Sequence, residues 1–326
     1  MKFLPLACAV AATFVLSAGA AHAQAQAFPN KPVTLVVGFA PGGATDRVAR
    51  IVAKALTEQT KQSFVVENKA GANSNIAAEG VTKAKPDGYT LYVGSVSNTI
   101  NQTLYKKLNF NVLTDFAPVA TLTTIVNILV VNPKLPVKNV SEFIAYAKAN
   151  PGKVSCASSG TGSSIHLSCE LFKIQAGIDL LHVPYKGSGP AIIDLVGGQV
   201  DSMFDNLPSA IGQVRGDKLR ALAVTSAKTT PFAPGVPTVN ETGVPGFDVS
   251  AWFAVYAPKD TPKDVIDLLN KEINKALASD EVKKAYEGGG FELPAAPNTP
   301  AQLGKLTQDE VSKWANVIKK SGITQE

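Results

Sequence analysis

Two short runs of small residues carry the chemistry open to this chain. The first is Phe39-Ala40-Pro41-Gly42-Gly43-Ala44-Thr45-Asp46, the second Ser158-Ser159-Gly160-Thr161-Gly162-Ser163-Ser164. Each follows an apolar run and opens a segment with helical periodicity. Such a loop delivers backbone N–H groups at a helix N-terminus, and glycine lets a ligand approach the backbone closely. The chemistry on offer is anion binding. Neither loop contains Arg, so N–H groups and the hydroxyls of Thr45 and of Thr161, Ser163 and Ser164 would meet the charge. Arg47 adjoins the first loop at a helix position that can point to water. Asp46 would repel a carboxylate there unless it caps the helix or meets an ammonium on the ligand.

Other chemistries fail on spacing. Gly160-Thr161-Gly162-Ser163-Ser164-Ile165 starts like a dinucleotide fingerprint but has Ile165 in place of the last glycine. The first loop lacks the Lys-Ser/Thr of a P-loop. Cys156-Ala157-Ser158-Ser159-Gly160 has Cys156 where a nucleophile elbow needs its first glycine. An exported serine hydrolase using a loop serine is the rival reading, and the missing elbow and scarce histidines argue against it. His166 falls with Glu170 and Lys173 on one polar helix face, which reads as a solvated or capping histidine. His182 lies in an apolar strand and reads as core. Two histidines not spaced as a pair, without a Cys-x-x-Cys, point to no metal and no cofactor.

The elements that must hold these loops read as βα units. Residues 33–39 form a buried parallel strand. Residues 46–58 form a helix with Val48, Ile51, Val52, Ala55 and Leu56 on one face. A strand over 63–66 completes a right-handed βαβ unit. Strands follow over 89–93 and 125–131, the former ending in a small polar loop over 94–98. The pattern then recurs as strand 154–157, the second loop, helix 164–176 and strand 180–183. A Lys-small-Gly echo follows each unit, 27 residues after Gly42 at Lys69 and 26 after Gly160 at Lys186. Both lysines sit at strand ends on the edge where α/β sheets bind ligands. Helices over 190–196 and 208–214 alternate with strands over 199–204 and 219–225, and a strand over 248–256 follows a Pro/Gly-rich connection. The tail is helical, with one stripe of Val265, Leu268, Leu269, Ile273 and Ala276 and another of Leu303, Leu306, Trp314, Val317 and Ile318. Laid on the first domain, these helices make it discontinuous. The chain then crosses twice between domains, as in a hinge.

Composition bounds the class. The chain has 326 residues, 45% hydrophobic and 17% charged, enough apolar material for two medium domains and too little charge for disorder. Its 31 basic and 26 acidic residues are scattered, which leaves no nucleic-acid footprint. Lys2, an apolar stretch over 3–16 and Ala21-His22-Ala23 read as an export leader cleaved after Ala23. The product is expected to be a soluble periplasmic monomer. Its two cysteines then meet an oxidising compartment. Cys156 ends a strand, and Cys169 lies on the following helix on the face of Ile165, Phe172 and Ala176, so a disulfide is expected between them.

The chain resembles the Bug-type periplasmic substrate-binding proteins of tripartite tricarboxylate transporters. The resemblance rests on Phe28-Pro29-Asn30-Lys31-Pro32, the first loop, Lys85-Pro86-Asp87-Gly88-Tyr89-Thr90-Leu91, Ser159-Gly160-Thr161-Gly162-Ser163-Ser164, His182-Val183-Pro184-Tyr185-Lys186-Gly187, Phe204-Asp205-Asn206 and Pro234-Gly235-Val236-Pro237-Thr238. It implies an α/β, two-domain periplasmic binding protein fold, each domain a mostly parallel sheet flanked by helices, with the ligand in the interdomain cleft. The domains would be 24–127 plus 251–326, and 128–250. It also implies a small carboxylate ligand, no catalysis, and delivery to a membrane permease of one large and one small subunit. A sensor docking to a membrane receptor fits the same residues. Carried over by position, the ligand would touch Phe39, Gly42, Gly43, Ala44 and Asp46 from one domain. From the other it would touch Ser159, Thr161, Gly162, Ser163 and Ser164. Ser95, Ser97, Asp205 and Asn206 end strands nearby. Cys156 and Cys169 are not part of the family pattern.

Overall fold

A computed structural model describes residues 28–324, so the leader expected over 1–23 lies outside the described residues. The first half opens with β1 (Val33–Val37), α1 (Ala44–Thr60) and β2 (Phe64–Asn68). Strand β1 is Val-Thr-Leu-Val-Val, buried on both faces as a central parallel strand must be. Helix α1 buries Val48, Val52 and Leu56 and stops where Lys61 turns left-handed, with φ 59°. Next come α2 (Asn75–Thr82), β3 (Thr90–Ser95), α3 (Val96–Leu104) and the long β4 (Phe116–Val131). The second half holds α4 (Val140–Ala149), β5 (Ser155–Ser158), α5 (Ser164–Ala176), β6 (Leu181–Pro184), α6 (Ser188–Gly197), β7 (Ser202–Asn206), α7 (Leu207–Arg215) and β8 (Arg220–Val224). The chain returns through β9 (Ser250–Pro258) and ends in α8 (Lys263–Ala278), α9 (Asp280–Gly289) and α10 (Pro300–Ser321).

The strand order is β2-β1-β3-β9-β4-β7-β5-β6, with β8 also on β4. β1 runs parallel to β2 and β3, and β5 runs parallel to β6 and β7. The joining strands are antiparallel: β9 to β3 and β4, and β4 to β7 and β8. β4 serves both halves. Its residues from Phe116 to Val126 pair with β9, and those from Asn127 to Val131 pair with β7 and β8. The sequence suggested only 125–131, because Pro118 and the threonines at 121, 123 and 124 break the apolar run. The register shifts at Pro118/Ala120 and at Thr121/Thr123 absorb that break.

Residues 94–98, expected as a loop, instead end β3 at Ser95 and begin α3 at Val96. Ser95 caps α3 by accepting the Ser97 N–H, while the Asn98 side chain accepts the Ser95 N–H. That reciprocal cap uses the small polar residues that otherwise signal a loop. Helices α2 and α4 have no counterpart among the expected elements. A signal existed for α4, whose N-cap Asn139 accepts the Glu142 N–H. The tail helices cover the first half: α8 packs on α1 and β4, and α10 on α3 and β4. Their buried stripes run through Ile266, Leu269 and Ile273, and through Leu303, Trp314 and Ile318. Val265 and Leu268 are only half-buried, so the first stripe sits slightly rotated from its expected face.

Cys156 on β5 and Cys169 on α5 are joined as a disulfide, with Cα atoms 6.7 Å apart. The bond clamps α5 to its own strand and encloses the second small-residue loop. On the chain-entropy model, closing a loop of this length stabilises the fold by roughly 3 kcal/mol. Thiol titration of unreduced, denatured protein beginning at Gln24 should find no reactive thiol. Two thiols per chain would refute the bond.

Candidate functional site

Five helices begin at one place. α1, α3, α5, α6 and α7 each follow the C-terminal end of a strand, the position where open α/β sheets hold ligands. Their first residues enclose a small cavity, with about 20 Å³ open to the centre of a water-sized sphere. From the first half it is lined by Phe39, Gly43, Ala44, Thr45, Ser95, Val96 and Ser97, with Ala251 and Phe253 of β9. From the second half it is lined by Ser159, Ser163, Ser164, Ser188 and Asn206. No lining residue is charged. The first turn of a helix carries N–H groups with no partner in the helix. Side-chain caps are missing at α1, α6 and α7, so those donors stay open. The summed dipoles make the cavity electropositive without a cation.

Side chains behind the loops hold them in shape. Asp46 Oδ2 accepts the Gly42 N–H at 3.0 Å, and its carboxylate also takes Arg50 and the Asn68 amide. Burial raises the Asp46 pKa, but these hydrogen bonds outweigh it and hold the carboxyl below its usual range. In the second loop the Gly162 N–H donates to His166 Nδ1 at 3.1 Å, and Ser163 Oγ caps α5 on the His166 N–H. His166 also stacks on His182, with ring centroids 4.2 Å apart. Burial, then the charges of His182 and Lys173, press its pKa down to about 3, so its Nδ1 stays an acceptor.

The two halves meet around the cavity. The Ala40 N–H donates to the Lys186 carbonyl at 2.8 Å, Arg47 donates to the Pro208 carbonyl, and the Tyr105 hydroxyl donates to the Thr161 carbonyl at 2.9 Å. Gly162 has φ +92° and lies against Asn101 and Asn73, where a Cβ would collide. At Gly189 a Cβ would overlap the Pro41 carbonyl oxygen.

Of the residues singled out in the sequence, Phe39, Gly43, Ala44, Ser95, Ser97, Ser159, Ser163, Ser164 and Asn206 line the cavity. Five others stand elsewhere. Gly42 faces an outer groove shared with Gly189 and Ile193. Asp46 is not among the cavity-lining residues and braces the loop through Gly42, Arg50 and Asn68. Thr161 turns its carbonyl to Tyr105, and Gly162 spends its N–H on His166. Asp205 lies beneath the wall, where its Oδ1 accepts from Ser188 Oγ and from the Asn206 N–H. The lysine echo also misses: Lys69 pairs with Glu67 in solvent, and Lys186 is exposed. His166 is buried rather than solvated, because the loop folds back over the first turn of its helix. The Ser158–His182 contact, 2.7 Å, is buried behind the loop, and neither residue lines the cavity. Val96, Ser188, Ala251 and Phe253 were missed. Only Ser188 had a signal, its place after Gly187 in the echo.

Burial raises the Asp205 carboxyl to about pKa 7, against the hydrogen bonds from Ser188 and Asn206. The folded state then holds this proton more tightly than the unfolded chain. The group's contribution to stability is full below about pH 4 and is lost as pH rises to about 7. Asp205→Asn should remove that slope. In denaturant titrations its stability relative to the parent should grow between pH 4 and pH 8, by as much as about 4 kcal/mol. A flat difference would place the carboxyl in the ordinary range.

Comparison with known proteins fits this geometry. The tripartite tricarboxylate transporter family receptor model matches residues 48–323. Protein BugT of Bordetella pertussis is 40% identical over 317 residues, 96% of this chain and 97% of BugT. A solved R. palustris protein with adipate is 38% identical with TM-score 0.88, covering 91% of this chain and 99% of its own. MatC from Rhodopseudomonas palustris, with bound malate, is 36% identical with TM-score 0.86, covering 89% and 100%. The architecture is the α/β, two-domain periplasmic binding protein fold. The chain belongs to the receptor family of the tripartite tricarboxylate transporters.

Proposed function

We propose that this protein is a periplasmic solute-binding receptor that holds a small carboxylate between two domains and presents it to a membrane permease of one large and one small subunit. One observation carries the reading: five helix N-termini from both halves face a cavity that no charged side chain lines. A single helix N-terminus favours an anion by ~0.3–1 kcal/mol when exposed and up to ~2 when partly buried. Hydrogen bonds to a charged group add about 1.5–3 kcal/mol each. A few N–H bonds therefore suffice without an arginine. The related proteins solved with adipate and malate support the ligand class.

The proposed division puts residues 24–127 plus 251–326 in one domain and 128–250 in the other; the switch of β4 from β9 to β7 between Val126 and Asn127 supports it. Closure brings the N-termini of α1 and α3 against those of α5, α6 and α7. Ligand contacts are assigned to Phe39, Gly43, Ala44, Thr45, Ser95, Ser97, Ser159, Ser163, Ser164 and Asn206. The receptor works as a monomer, binds and does no chemistry. The leader, cleaved after Ala23, delivers it to the periplasm. Among the described residues no helix is long and apolar enough to cross a membrane.

Thermal denaturation against a panel of carboxylic acids tests the ligand class. A true ligand at ~100 times its Kd adds about 2.7 kcal/mol. A neutral solute as the best binder would sink the reading. Closure is tested by Gly189→Ala. Gly189 lies in the first turn of α6, where alanine is the better helix former by up to about 1 kcal/mol. The added methyl overlaps the Pro41 carbonyl in this arrangement of the halves, which the proposal takes as the closed one. The variant should melt no lower than the parent without ligand, yet bind at least ~10-fold more weakly. Scattering should show a smaller radius of gyration for the liganded parent and little change for the variant. Parent-like affinity in the variant would argue against closure.

A further inference from the structure

We propose, resting on the carboxylate-receptor reading, that the ligand also carries a hydrogen-bond donor, a hydroxyl or an ammonium, and that Ser188 and Asn206 recognise it. The argument is an inventory of protons. Asp205 Oδ1 already accepts two hydrogen bonds, from Ser188 Oγ at 2.6 Å and from the Asn206 N–H at 2.8 Å. With Asp205 ionised, above about pH 7, the one hydroxyl proton of Ser188 is committed to it. Ser188 lines the cavity, so what its Oγ offers there is lone pairs.

A relay fixes Asn206 in the same sense. Ser168 Oγ donates to the Ser164 carbonyl at 2.8 Å, so it must accept from Asn127 Nδ2 at 3.0 Å. Asn127 Oδ1 is then an acceptor and takes Asn206 Nδ2 at 2.6 Å. Flipping the Asn206 amide would set two oxygens against each other at that distance. Its Oδ1 is thus the atom left for the cavity.

The cavity is therefore polar in a directed way. N–H donors stand at the helix starts, and two side-chain acceptors, Ser188 Oγ and Asn206 Oδ1, stand among them where α6 and α7 begin. A carboxylate oxygen finds partners at the N–H groups and only lone pairs at these two atoms. A ligand with carboxylates alone would leave two enclosed acceptors unmatched, which binding sites penalise heavily. A hydroxyl or ammonium on the carbon chain answers them. Asp205 acts through Ser188 as a positioning residue.

Matched probes decide it. Calorimetry would compare malate, aspartate and succinate; 2-hydroxyadipate, 2-aminoadipate and adipate; and lactate, alanine and propionate. In the series that binds, the hydroxyl or the ammonium member should bind at least ~10-fold tighter than the plain acid, and the better of the two identifies the donor. Ser188→Ala should cut that ratio to about 3-fold or less. Asp205→Ala, which frees the Ser188 proton, should lower the ratio too. The ratio is taken within one protein, so partial misfolding does not imitate the effect. A plain acid binding as tightly as its hydroxylated and aminated partners, or a ratio that survives Ser188→Ala or Asp205→Ala, overturns the inference and leaves the carboxylate reading standing. If no acid of any series binds and a neutral solute does, the carboxylate reading falls and this inference with it.

Discussion

Every α-helix begins with N–H groups that its own backbone cannot satisfy. This protein turns five such beginnings toward one cavity. The rest of the architecture serves that convergence. Parallel strands β1 and β3 carry α1 and α3 off one edge, and β5, β6 and β7 carry α5, α6 and α7 off another. The antiparallel strands β4 and β9 then join the two edges into one continuous sheet.

Open donors impose a cost on the loops that carry them. A loop meant to bond a ligand must not collapse onto its own N–H groups. Bracing from behind meets that demand. Asp46 occupies the Gly42 N–H, and His166 occupies the Gly162 N–H, both on the side away from the cavity. The donors further on, in the first turns of α1 and α5, stay available. Close approach of the halves adds a steric demand, which explains glycine at 162 and 189 better than ligand contact does.

The repeated βα loops were legible because apolar runs, helical stripes and glycines reinforce one another locally. Seven of the fifteen residues of those two loops line the cavity. What the sequence hid depends on tertiary path. β4 is long because it pairs in both halves of the sheet, and its polar residues are spent on bulges. Ala251 and Phe253 reach the cavity only because β9 lies between β3 and β4. Asp46 and Asp205 look like ligand groups by position. Their roles turn on which neighbours saturate them, and spacing carries no information on that. His166 shows the limit of reading helix faces, since its polar stripe holds for Glu170 and Lys173 but fails where the loop folds over the first turn.

Asn127 shows how the sheet and the recognition wall depend on each other. It stands where β4 parts from β9, opposite Asn206 in the register with β7. Its backbone N–H bonds Thr225 Oγ1 at 2.9 Å, and its carbonyl accepts the Thr225 N–H at 2.9 Å, so its backbone is tied across to the chain beyond β8. Its side chain links Ser168 on α5 to Asn206 at the start of α7. One residue at the crossing thus sets which atom Asn206 shows to the cavity. Asn127, Ser168 and Asn206 all belong to the second half, where β4 pairs with β7 and α5 covers both strands, so the relay that fixes the acceptor wall is internal to that half.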